Sequence, residues 1–171
     1  MSAEFLIGAR APAVNACLEY WHGKCTGGRI PGRQHLDPGE MKSFLPYVII
    51  FDVERHPSGY RFRHRLVGTH VADLFGSDMT GEYVDETSAA GGYTPILRQL
   101  SAVAETRAPS FGVYAPPTPH RNFIEYEHLT LPLAADGELV DMLFGVGCGL
   151  KTASLPTSRC ISVIPKTGRG G

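Results

Sequence analysis

The chain has 171 residues, 43% of them apolar and 19% charged, with 16 Lys or Arg set against 17 Asp or Glu. That length and apolar content suit one compact domain with a real core and fall short of two, and a formal net charge of -1 gives no general attraction to nucleic acid or anionic lipid. No apolar run of roughly 18 residues exists and the N-terminus lacks a basic segment followed by a hydrophobic one, so neither a membrane span nor a signal peptide is indicated and the cytoplasm is the expected compartment.

Pro12 opens an amphipathic helix on which Val14, Cys17, Leu18 and Trp21 share one face and which Gly23 ends. Such a helix needs something apolar to lie on. Val14, Leu18 and Trp21 are therefore expected either to cover the outer face of a sheet or to meet a partner's helix, and a homodimer is the expected assembly. Residues 26–40 are rich in Gly, Pro and basic side chains and show no periodicity, which reads as a connector. Asp37-Pro38 is a plausible helix start, with Met41, Phe44 and Leu45 on one side of a brief helix.

Residues 47–53 form a bounded, β-branched apolar run of strand length. Pro57 and Gly59 allow a tight reversal. Tyr60, Phe62, His64 and Leu66 then alternate with Arg61, Arg63, Arg65 and Val67, a period of two that separates a mostly apolar face from a basic one. The arginine row reads as a solvated or partner-facing surface. Gly68 lets the chain bend, and Thr69 begins a short helix carrying Val71, Leu74 and Phe75 up to Gly76. After a loop over 76–92, residues 94–107 are the longest helical candidate, with Ile96, Leu97, Leu100, Val103 and Ala104 on the inner stripe. Strands are predicted at 110–115, 125–133, 138–147 and 160–164. The prolines of 116–119 force an exposed excursion, Asp136-Gly137 makes the hairpin turn, and the glycine-rich 167–171 is a frayed tail. One domain results, divided into an N-terminal helix and connector (1–44), a core (45–165) and a flexible tail (166–171).

Patterns that carry chemistry are missing. Seven histidines lie scattered, none in the His-Glu-x-x-His spacing of a zinc hydrolase. His64 and His70 could converge on a haem or metal, although ordinary hydrogen-bonded histidines are the plainer reading. Residues 145–152 superficially resemble a phosphate loop, but Leu150 separates the glycines from Lys151 and no useful helix follows. Glu125 and Glu127 share one side of a strand, where paired carboxylates can do acid and base work; solvent exposure, or pairing with Arg61, Arg63 or Arg65 across the sheet, is the bland expectation. Cys17, Cys25, Cys148 and Cys160 contain no C-x-x-C pair and read as reduced, structural thiols.

Tyr20-Trp21, Arg29-Ile30-Pro31, Asp37-Pro38, Leu45-Pro46, Arg65-Leu66-Val67-Gly68-Thr69, Thr80-Gly81 and Leu131-Pro132-Leu133 followed by Asp136-Gly137 occur in an order and spacing that resembles the bacterial single-domain PAS family, first catalogued as a domain of unknown function. The resemblance spans roughly residues 15–150. It implies an α+β fold, a PAS-like five-stranded antiparallel sheet with helices over one face, and a sensory or protein-interaction role in signalling, with no agreed ligand, cofactor or catalytic residue. Between the sheet and those helices a cavity is expected, walled by Phe51, Phe62, His64, Val71, Phe75, Tyr83, Leu97, Tyr126 and Phe144, with His64, Tyr83 and Tyr126 as the groups that would orient an occupant. A stand-alone adaptor acting in trans through a protein partner, with no enzyme activity and no cofactor, is the leading expectation. A haem- or flavin-bearing PAS sensor and a ketosteroid-isomerase-like cone fold are the alternatives, the last favoured by a desolvated Asp or Glu with a raised pKa in the pocket.

Overall fold

A computed structural model describes residues 8–87, 94–115, 124–153 and 159–162. The runs of β-branched and aromatic residues become β1 (Val48–His56), β2 (Gly59–Val67), β3 (Ser110–Tyr114), β4 (Ile124–Leu133), β5 (Met142–Lys151) and β6 (Arg159–Ser162). They form one sheet in the order β2-β1-β5-β4-β3-β6, every neighbouring pair antiparallel. Helices α1 (Pro12–Lys24), α2 (Thr69–Phe75), α3 (Val84–Thr87) and α4 (Thr94–Thr106) complete the α+β fold. Six strands stand where five were expected, because β6 adds to the free edge of β3 with Ser110 opposite Ser162.

Both faces of the sheet are covered, so the strands read as apolar runs more than as strict alternations. On one face Val14, Cys17, Leu18 and Trp21 of α1 pack with Phe111, Val113, Leu129, Leu131, Phe144 and Val146. On the other, Ile49, Phe51, Phe62, Tyr126 and Leu143 meet Val71, Leu74, Val84, Ile96, Leu100 and Val103 of the remaining helices. Val14 and Leu18 are fully buried, and burying side chains of this size is worth about 1.5–3 kcal/mol each. Polar ties fix the placement of α1. The indole N–H of Trp21 donates to the Pro132 carbonyl at 2.9 Å, and the buried Glu127 carboxylate accepts the backbone N–H of Arg10 at 2.8 Å and of Ala11 at 2.9 Å. Val14, Leu18 and Trp21, expected at a partner's helix or on the sheet, are thus used within their own chain.

Pro57 and Ser58 make the β1–β2 reversal, and Gly59, at φ 126°, supplies the backbone torsion it needs. A register shift between Ile50 and Phe51 leaves Arg65 without a direct opposite on β1, the signature of a bulge. Two expectations need correction. The last long strand starts at Met142 and not at 138, because the Asp136 carboxylate accepts the N–H groups of both Glu138 and Leu139 at 2.8 Å and so withdraws them from any ladder. Residues 145–151 of the phosphate-loop lookalike lie in β5, which continues the strand predicted up to 147. The brief helix around Met41 is instead two 3-10 turns, Pro38–Glu40 and Leu45–Tyr47; Met41 and Phe44 are buried but Leu45 faces solvent. The proline excursion at 116–119 and the tail at 167–171 lie outside the described residues.

Candidate functional site

On the central strand, Val146 and Cys148 point to the α1 side, which leaves Gly145, Gly147 and Gly149 to present the opposite face. A Cβ on Gly147 would sit 2.6 Å from Cζ of Tyr126, and one on Gly149 would sit 2.8 Å from Leu74. Gly147 thus makes room for the Tyr126 ring and Gly149 for Leu74. Tyr126 stacks on His128 with centroids 5.7 Å apart and meets Phe75 edge-on at 5.2 Å. Above them is a cavity of about 70 Å³ lined by Ile49, Phe51, His64, Val71, Phe75, Met79, Val84, Thr87, Ile96, Tyr126 and His128.

The polar part of this wall is organised by Gln99 of α4, itself buried. Its amide nitrogen donates to the carbonyls of Ser110 and His128, both at 3.0 Å, which fixes the orientation of the group. The amide oxygen then accepts the Tyr114 hydroxyl at 2.7 Å and lies 3.2 Å from His128 Nδ1. We assign the proton of His128 to Nδ1, the tautomer that gives this oxygen a second donor and lets the Thr130 hydroxyl, also 3.2 Å from Nδ1, accept from it. On β2, His64 Nδ1 lies 3.0 Å from the Glu82 carbonyl, which can only accept, so its proton is on Nδ1 as well. Burial holds both rings neutral: desolvation lowers His64, and desolvation followed by the nearby His64 pushes His128 down to about 3.

Of the nine expected wall residues, Phe51, His64, Val71, Phe75 and Tyr126 line the cavity. Phe62 is buried in the same cluster, stacked on Tyr60, but does not reach the cavity surface, and Leu97 packs on the flank of that cluster. Tyr83 is not a wall: it pairs with the edge of β2 opposite Arg63, donates its hydroxyl to Glu54 at 3.0 Å and lies under the Arg61 guanidinium at 3.6 Å. Phe144 belongs to the α1 face, as its pairing with Leu131 requires. Ile49, Met79, Val84, Thr87, Ile96 and His128 are additions. Ile49 and His128 follow from the period of two running through Phe51 and Tyr126, whereas Met79 and Thr87 had no periodic signal.

The other candidates resolve into structural roles. His70 does not join His64; its Nε2 accepts the Gly149 N–H at 3.3 Å and its ring rests on Tyr47. Glu127 is buried beneath α1, and Glu125 pairs with Arg10 at 2.8 Å, so neither carboxylate is solvated in the manner expected or set against the arginine row. Arg61 pairs with Asp85 and Glu86, and Arg63 and Arg65 share Asp52. Burial raises the thiols of Cys17, Cys25 and Cys148, the last two to about 11 and about 12, which fits packing more than reactivity. Among the described residues no group of three or more His, Cys, Asp or Glu could hold a metal ion, no carboxylate lines the cavity, and no helix is long and apolar enough to cross a membrane. About 70 Å³ is far below the roughly 300–1,000 Å³ of pockets for larger ligands, and a haem or flavin ring system does not fit it.

A family model described as "PAS domain" matches residues 9–147. No curated protein and no solved structure matches the chain.

Proposed function

Because the chain belongs to the PAS domain family, we propose that it works as a sensory or adaptor domain: a small molecule occupies the cavity between the sheet and α2–α4, and occupancy is passed to a protein partner in bacterial signalling without any catalytic step. The observation that carries this reading is the cavity itself, apolar over most of its wall and supplied with two buried imidazoles, the composition of a binding pocket. The absence of a carboxylate from the described wall speaks against the cone-fold isomerase reading, which a desolvated acid there would favour. A partner in trans, in the cytoplasm, and a second copy of the chain belong to the same proposal. Assembly through α1 requires that helix to leave its own sheet, since its apolar face is already buried.

Titrating the full chain with benzene, followed by methyl spectra, tests the cavity. Shifts confined to the methyl groups of the wall, on Ile49, Val71, Met79, Val84, Thr87 and Ile96, are expected. An unresponsive spectrum up to benzene saturation would mean a filled core and end the reading.

A further inference from the structure

The mostly apolar lining of the cavity includes two imidazoles beside the hydroxyl-bearing Thr87 and Tyr126. His64 and His128 are each more than nine-tenths buried, at 6% and 2% exposure, and both line the cavity. Each uses Nδ1 on a protein group, His64 on the Glu82 carbonyl and His128 on Gln99 and Thr130. Among the described residues neither Nε2 has a partner. In a neutral imidazole with the proton on Nδ1, Nε2 is a bare lone pair. A buried acceptor left unmet costs about 1–3 kcal/mol, and here there are two, on strands β2 and β4 from opposite sides of the β1–β5 pair.

We infer that the cavity is built for a small, neutral, largely apolar molecule that carries N–H or O–H donors, received by Nε2 of His64 and Nε2 of His128. The inference rests on the cavity being a ligand site and names the chemistry of its occupant. An anion would meet two lone pairs and no cationic group on this wall; a molecule offering only acceptors would leave all of them unmatched. The neutrality that burial imposes on both rings keeps the lone pairs available at neutral pH. Size works in the same direction, since about 70 Å³ is about half of the roughly 150 Å³ that takes up benzene in an engineered apolar cavity, which makes a single ring the upper limit and requires the wall to yield around it.

Phenol and anisole form the decisive pair, alike in shape but with the donor replaced by a methyl ether, and benzoate serves as the anionic comparison. With the full chain and 15N-labelled histidine, phenol is expected to bind about tenfold or more tighter than anisole, the value of about one buried hydrogen bond, and to move the Nε2 resonance of His64 or His128 while Nδ1 stays protonated. A His64→Leu substitution should reduce the phenol preference; if that variant fails to fold, the nitrogen spectra of the unaltered chain decide. Equal binding of phenol and anisole, tighter binding of benzoate, or a proton found on either Nε2 overturns the donor class and leaves the cavity reading intact. If phenol, anisole and benzene all fail to bind, the cavity holds water only and both readings fall.

Discussion

Acid should unfold this domain through His128 before its carboxylates come into play. The ring is faced by Gln99 from α4, by Phe51 and His64 from β1 and β2, and by Tyr126 and Thr130 of its own strand. None of these is an anion that could welcome a proton. With a native value of about 3 against about 6.5 when unfolded, the unfolded chain binds the proton first. The stabilisation is complete above about pH 6.5 and drains away as pH falls toward about 3. Between about pH 7.5 and about pH 5.5 this one group should cost about 1.4 kcal/mol, and by about pH 4.5 about 2.7 kcal/mol. His64 and His70, lowered by burial in the same direction, add to the wild-type slope. Urea denaturation of the wild type and of His128→Leu across this range isolates the contribution. The substitution leaves Gln99 still accepting the Tyr114 hydroxyl but takes the buried Thr130 hydroxyl's partner, a loss that does not vary with pH, so the comparison is of slopes and not of absolute stabilities. Wild-type and variant stabilities that fall in parallel between about pH 7.5 and about pH 5.5 would refute the reasoning.

Glu127→Ala should cost about 2–5 kcal/mol, because two backbone N–H groups at Arg10 and Ala11 lose their acceptor; amide exchange at these two positions should accelerate, and a stability change below about 0.5 kcal/mol would contradict the assigned role. Gly147→Ala should lower stability by about 1–3 kcal/mol by driving a methyl into the Tyr126 ring, read as a drop in thermal midpoint that Gly23→Ala, with open space at its Cβ, does not share. Trp21→Phe keeps the apolar contact but loses the bond to Pro132, for an expected loss of about 0.5–1.5 kcal/mol in denaturant titration; a neutral result would show that the indole N–H finds water instead.

The hairpin was legible because Pro57-Ser58-Gly59 has few other conformations and because Arg61, Arg63 and Arg65 mark one face of β2 unambiguously. The α1 stripe was equally plain. The beginning of β5 was not, since Glu138, Leu139 and Val140 carry nothing that forbids a strand; the Asp136 side chain decides the matter through backbone N–H groups that a hydrophobicity pattern does not register. Phe144 was placed in the cavity on the natural assumption that bulk lines the functional side. On β5 Phe144, Val146 and Cys148 face α1 while Gly147 and Gly149 lie under Tyr126 and Leu74 on the other side, a choice set by pairing with β4 and invisible along one strand. His128 was within reach, two residues from Tyr126, but its importance depends on Gln99, which comes from a helix 29 positions earlier.

Neighbours 127 and 128 on β4 look in opposite directions: one grips the chain where α1 begins, the other abuts the cavity. They are joined by one planar trans peptide unit, which fixes the separation of their Cα atoms at about 3.8 Å. A displacement of the β4 backbone at His128 therefore also moves the carboxylate that holds the start of α1, whereas rotation about the imidazole's own side-chain bonds leaves it in place.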